Sequence, residues 1–522
     1  MIRSRFLTAG LTVALIAAAA AAPIAAQEPS PQRGGEVNLS QFEDADTLDP
    51  TFAGTAGARV VFINMCEKLY DLDADGALVP QLATALPTVS EDGLTVTIPV
   101  REGVTFNDGT PFDAAAVVKS LERHRTAEGS RRTSELSSIT ASAAPDATTV
   151  VLTLARPDAA LTASLSDRAG MIMSPTQLDL LGADFGNAPV CVGPFKFVDR
   201  VVGDHTTLER SEDYYDAEHV YLDKVIYRPI ADETVRTANL RAGDLQLVDR
   251  VATTDVAALK DDPEFVVVAR TSNAYTAMTV NIANANGIAG EPGVVDDPLA
   301  NDQLRKAFDL AIDRDQINQL VYSGLQVAGC GPISPANPYH DGVACPARDL
   351  EGAKALVTAS GVATPIRVEL QVASSPVNVR LGELLQSQVA EAGFELAVLP
   401  LDNATAFQNQ NDGAFDIMLT PWSGRVDPDA NIYRFHYSTG TDNFPKAVDP
   451  ELDALLDEAR SVNDVEARKA LYAQIVERVK ERRSVIYLQH QVLYSAHTSA
   501  LQGFELFVDG MPRLKSVSLS QS

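Results

Sequence analysis

Hydrophobic and polar positions are arranged in two ways along this chain, and the change comes near Asn281. In the first part short strand patterns dominate: Glu36 to Leu39, Leu94 to Val100, Val150 to Leu154 and Lys196 to Val198. Two helical patterns stand among them. Val61, Ile63/Met65 and Leu69 recur within residues 60–70. Val117, Val118 and Leu121 share one face of a helix from Phe112 to Arg123, entered from the turn Asp108-Gly109-Thr110-Pro111. Tyr275 to Asn281 ends this block, and a loop rich in Gly, Asp and Pro follows from Gly287 to Asp297.

Beyond that loop the pattern is more helical. Leu304, Ala307, Phe308 and Ala311 fall together in a helix from Gln303 to Ile312. Asp315 is expected to cap the next helix, which carries Ile317, Leu320 and Val321 and stops at Gly324. Asp449-Pro450 reads as an N-cap followed by proline in the first turn. Asn463 is expected to open a long helix with Leu471, Ile475 and Val479 in one row. Strands are predicted between these helices at Arg367 to Val372, Glu395 to Pro400 and Phe415 to Leu419. Short strands mixed with capped helices predict an α/β fold, with strands too unevenly spaced for a barrel.

Met1 to Ala26 follows neither pattern. Arg3 and Arg5 precede an apolar run from Phe6 to Ala22, Pro23 breaks it, and Ala25 and Ala26 come before the polar Gln27. This reads as a secretory leader (residues 1–26) cleaved near Ala26, ahead of a short lead-in at 27–35. The competing reading, a membrane anchor, is disfavoured by the Ala-rich and short apolar stretch. The first cysteine is Cys66, so no new N-terminal cysteine is there to be lipidated.

The 522 residues suffice for two to four units with sizeable cores. Lys and Arg total 42 against 70 Asp and Glu, a net charge of −28, which makes nucleic acid and anionic membrane surfaces poor partners. A single arginine inside a cleft can still attract a small anion. Export makes the four cysteines readable as disulfides. Cys330 and Cys345 share a Gly/Pro-rich loop whose closure contributes about 3 kcal/mol. Cys66 and Cys191 either pair or are two small buried hydrophobes. No GxSxG elbow, HExxH or P-loop marks an enzyme, and no CxxC or HxxxH marks a metal site.

An ordered series of motifs then identifies a resemblance. Gly34-Gly35, Leu48-Asp49-Pro50, Glu67 to Asp71 (EKLYD), Pro80 to Ala83 and Asp92-Gly93-Leu94 lead to Arg101 to Phe112 (REGVTFNDGTPF). Val192-Gly193-Pro194-Phe195, Gly243-Asp244, Leu304 to Ala307, Ala311 to Arg314, Asp427-Pro428-Asp429 and Val448 to Leu456 follow in order. The chain resembles solute-binding protein family 5, the receptors for peptides, nickel chelates and related solutes in ABC importers. The resemblance implies a periplasmic binding protein-like fold: two hinged lobes with an extra sub-domain in lobe I. Lobe I would span 36–275 with the insert near 70–185, lobe II 276–490, and residues 491–522 would return to lobe I. It also implies a monomeric periplasmic receptor, not an enzyme, without a cofactor or bound metal, that passes its solute to a membrane permease and an ATPase.

The same resemblance points to a site. In the peptide-binding branch a tryptophan in lobe II is followed three residues later by a carboxylate for the peptide ammonium. Trp422 matches, but the third residue on is Arg425. A guanidinium there would pair with a carboxylate or phosphate, and Trp422 would offer a flat face to the solute. The expected solute is therefore a peptide, opine or sugar acid carrying an acidic group. Two other readings stand beside this: Arg425 pairs with Asp427 or Asp429 and shapes the loop, or Asp427 takes the amine of an ordinary di- or oligopeptide. Tyr275 and Asn443 are further candidate contacts, with Asn281 and Phe444 near them. His436 is expected to be structural.

Overall fold

The computed structural model describes residues 31–289, 295 and 297–520. The leader at 1–26, the start of the lead-in and part of the loop from Gly287 to Asp297 lie outside the described residues. An eleven-stranded sheet runs through the molecule. From one edge its order is Phe394–Leu401, Ile366–Ala373, Ile417–Trp422, Phe265–Val280, Val485–Thr498, Leu247–Val248, Glu36–Gln41, Lys224–Pro229, His205–Arg210 and Phe195–Val201. Val327–Ala328 adds to Val485–Thr498 off this path.

Each half of the sheet has a parallel centre. Ile366–Ala373 lies parallel to Phe394–Leu401 and Ile417–Trp422, with helices Pro376–Ala390 and Asn403–Asp412 as the connections. Glu36–Gln41 lies parallel to Lys224–Pro229 and Leu247–Val248, joined by helix Glu233–Ala242. Parallel neighbours need such crossovers, which is why strand and helix patterns alternate in the sequence. Two large cores result, with smaller clusters beside them. One gathers residues from Val37 to Leu247 and closes with Leu501 to Val517 from the C-terminal tail, the other gathers Met278 to Leu488.

Phe265–Val280 and Val485–Thr498 lie as a long antiparallel pair between the two halves of the sheet. Their ladder breaks between Thr271 and Tyr275, where the buried Ser272, Asn273 and Ala274 bulge opposite Gln491. Ser272 Oγ donates to Gln491 O at 2.8 Å, and Ser334 Oγ donates to Ser272 O at 2.6 Å, so the bulge is held by side chains where the ladder is missing. The molecule is thus two α/β lobes joined by two strands.

Lobe I carries an inserted antiparallel sheet, Thr88–Val89, Thr95–Pro99, Thr149–Leu154 and Ile139–Asp146, packed under helix Ala114–Thr126. The Cys66–Cys191 disulfide (Cα–Cα 4.9 Å) closes its base, and Cys330–Cys345 (5.5 Å) closes the lobe II loop.

Several helices begin one or more residues from the expected position, for local reasons. Asp313, not Asp315, caps Arg314–Tyr322 by accepting from Gln316 N at 2.8 Å, leaving Asp315 in the first turn. Asp464, not Asn463, caps Val465–Arg482. The helix expected at 60–70 spans Ala56–Met65, because Thr55 caps it and Cys66 turns away into its disulfide.

Candidate functional site

The strand Ile417–Trp422 ends at the edge of the gap between the lobes, and its continuation, Ser423 to Asp427, borders a cavity of about 110 Å³. Two features hold this loop. Gly424 lies against the bulge at Ser272 to Ala274 with φ +73°, and a Cβ there would stand 2.3 Å from the Asn273 carbonyl carbon. The buried Asn431 accepts from Trp422 Nε1 at 2.8 Å and from Arg425 N at 2.7 Å, and donates to Arg425 O at 2.7 Å. Asn337 Nδ2 adds a bond to Val426 O at 2.8 Å.

Arg425 does not pair with Asp427 or Asp429. Its Nε reaches Asp167 of the lobe I insert at 2.7 Å. Its Nη1 donates to Gly424 O at 2.7 Å and to Ser423 Oγ at 3.2 Å. Asp167 also receives Arg59, at 3.2 Å, from helix Ala56–Met65, and Arg59 Nη1 reaches Ser423 across the gap at 3.4 Å. Arg59, Arg425, Arg168 and Arg132 together hold the Asp167 carboxyl well below its ordinary range despite burial. Burial, with Arg59 beside it, brings the Arg425 guanidinium down to about 10. Five guanidinium groups thus meet Asp167 and Glu135 here, Glu135 lying 2.9 Å from Arg132 and 4.0 Å from Arg434, which is also bound to Asp442 at 2.6 Å. Asp509, within range of Arg59, is already paired with Arg513 at 3.0 Å.

The remaining expected residues are placed differently. The Trp422 ring has the guanidinium carbons of Arg425 and Arg434 at 4.7 and 5.2 Å from its centroid, so cations cover the surface expected to be free for solute. Asp427 lines the cavity, but its two oxygens are held by Arg468 at 2.6 and 2.8 Å. Asp429 is likewise held by Arg460, at 2.8 and 2.8 Å.

Tyr275 and Asn443 do not line the cavity. Tyr275 is buried behind Trp422, its cross-strand neighbour, against Tyr487 and Phe435. Asn443 is buried and spends its amide on the carbonyls of Tyr437, Ser438 and Ala447. Asn281 is buried against Asn284 and Gly413, and Phe444 packs with Phe415 and Met418. His436 is buried, 2.9 Å from the Tyr487 hydroxyl.

Sequence reasoning missed Arg59, Asp158 and Asp167. Only Arg59 left a visible signal, as a lone charge in the otherwise apolar run AGARVVFINM. Among the described residues the group with metal-ligand spacing, Asp216, Glu218 and His219, is remote from the cavity lining, and Asp216 is shared by His219 and Lys515.

Two lobes, two connecting strands and a lined gap between them are matched by known proteins. Residues 77–444 match the model for bacterial extracellular solute-binding proteins, family 5. The chain belongs to this family. It is 25% identical over 524 residues to the glutathione-binding protein GsiB of Escherichia coli K12, covering 97% of each chain. Its fold matches the Agrobacterium binding protein AgaA in complex with agropinic acid, at TM-score 0.80 and 26% identity, over 94% of this chain and 99% of that one. The Helicobacter pylori protein DppA in complex with the peptide STSA matches at TM-score 0.84 and 23% identity, again over 94% and 99%.

Membership makes this chain a solute-binding protein of an ABC importer, periplasmic like its family, with a binding rather than a catalytic role. No helix among the described residues is long and apolar enough to cross a membrane.

Proposed function

We propose that the cleft captures a small acidic solute and that Arg425, with Arg59 facing it from lobe I, holds the acidic group. The observation that carries this reading is the excess of guanidinium groups around Asp167. Buried cations short of partners are costly, and a solute carboxylate supplies the missing negative charge. Contacts from both lobes to one anion favour the closed arrangement, which distinguishes loaded from empty receptor. Tyr275 and Asn443 act behind the binding surface, while Trp422 carries Arg425. The hinge is the bulge at Ser272 to Ala274 with Gln491, so that lobe I takes in residues 36–275 and the tail from 491. The AgaA and GsiB relatives support the solute class, since agropinic acid and glutathione both carry carboxylates. The ordinary peptide reading through Asp427 lacks such support, because Arg468 already engages both of its oxygens.

In this reading the leader is cleaved near Ala26, and the receptor works as an unlipidated monomer that hands its solute to a permease driven by an ATPase. Isothermal titration with glutathione, agropinic acid, glutarate and neutral dipeptide amides tests the acid assignment. Arg425→Gln should weaken binding of the acids by about 2 kcal/mol or more, roughly thirtyfold. Unchanged affinity for a tightly bound acid in that variant removes Arg425 from the site.

A further inference from the structure

Six carboxylates line the cavity: Glu135, Asp158, Asp167, Asp427, Asp429 and Asp509. Five have an arginine partner within 3.0 Å. Asp158 is the exception: among the described residues no cation lies within ion-pair distance of it. It precedes the short helix Leu161–Ser164 of the lobe I insert; its Oδ1 accepts from Ala160 N at 3.1 Å, and the Ser138 hydroxyl also acts on the carboxyl. Arg460, the cation that acts on it, has Nε and Nη2 committed to Asp429 and its guanidinium over the Tyr433 ring. Burial raises the Asp158 pKa, against the lowering effect of Arg460 and with a smaller raising effect from Asp429.

The two acids of the insert therefore belong to different charge groups. Asp167 sits among Arg59, Arg425, Arg168 and Arg132, with positive charge in surplus. Asp158 has beside it Asp429 and one arginine, Arg460, whose guanidinium is already bound to Asp429. Lobe II also contacts the insert here, since Ala159 N donates to Arg460 O at 2.7 Å. A cavity that is cationic on one part of its wall and anionic on another is complementary to a solute bearing both charges.

We infer that Asp158 is the cation-recognising residue of this receptor and that the solute is a small zwitterion, its ammonium at Asp158 and its acidic group at Arg425. The assignment rests on the acid-binding reading of Arg425 and goes beyond it by naming a second group on the solute and its partner in lobe I. It also places amine recognition on the lobe opposite Asp427.

Matched pairs of probes test it: L-alanyl-L-glutamate, γ-L-glutamylglycine and glutathione, each beside its N-acetyl derivative, titrated into wild type, Asp158→Asn and Arg425→Gln. Wild type should bind the free amine of at least one pair about tenfold or more tighter than its acetylated form. Asp158→Asn should bring that ratio close to one while leaving the acetylated affinity within about twofold. Arg425→Gln should weaken both members of the pair. Equal affinity within every pair on wild type overturns the proposal, as does an intact ratio in Asp158→Asn. The wild-type comparison decides the matter if that variant does not fold. A collapsed ratio in Asp158→Asn with unchanged binding in Arg425→Gln supports the amine assignment and overturns the acid reading. Absence of binding by all six probes overturns both.

Discussion

Glu67, the first residue of the EKLYD run, is buried, and its carboxyl receives the hydroxyls of Tyr214 at 2.5 Å and Tyr215 at 2.9 Å. Burial outweighs these bonds and pushes its pKa up to about 7 from an ordinary 4.5. A carboxyl with a raised folded pKa holds a proton in the folded state that the unfolded chain has lost. Its contribution to stability is complete below about pH 4.5 and disappears as pH rises through about 7. Glu67→Gln keeps an acceptor for the tyrosines and has no proton to lose. Thermal unfolding across pH 4 to 8 should therefore show wild type losing a few kcal/mol relative to the variant as pH rises. Parallel pH profiles for the two proteins contradict this assignment. The cleft residues behave oppositely: Asp167 is held low by its arginines, so its pairing with Arg425 persists into strong acid.

At the scale of elements, the two disulfides differ in what they close. Cys66–Cys191 spans 125 residues, including the insert, whereas Cys330–Cys345 spans 15. Chain entropy assigns about 5 kcal/mol to the first and about 3 to the second. Urea unfolding of the double alanine variants should rank them in that order, and the reverse order contradicts it. Local signals made much of this level legible in the sequence. Asp449-Pro450 opens a helix where its chemistry demands, and Leu471, Ile475 and Val479 do share a buried face. The one-residue error at Asn463 and the two-residue error at Asp315 arose because neighbouring Asp and Asn residues are equally good caps on composition alone. Trp422 and Arg425 were legible as lining the gap. Their partners were not, because Arg59 on helix Ala56–Met65 and Asp158 and Asp167 in the insert lie more than 250 residues away in the chain. Tyr275 and Asn443 lie outside the cavity lining for a related reason: chain position does not say which face of the strand or turn a side chain occupies.

For the whole molecule, the strongly acidic surface and the arginine-rich gap are compatible, because the field inside a narrow cleft is set by the nearest groups. In the proposed mechanism the lobes part and close about the bulge at Ser272 to Ala274, and Asp167 pairs with both Arg59 and Arg425. A solute acid would take over that position and leave the insert held through Asp158 at its other charge. The most direct test is a crystal structure of the protein with its tightest-binding acid from the titration panel. The account predicts the solute carboxylate within hydrogen-bond distance of Arg425 and Arg59, with both lobes contacting the solute. A carboxylate seated elsewhere, or a solute touching one lobe alone, contradicts it.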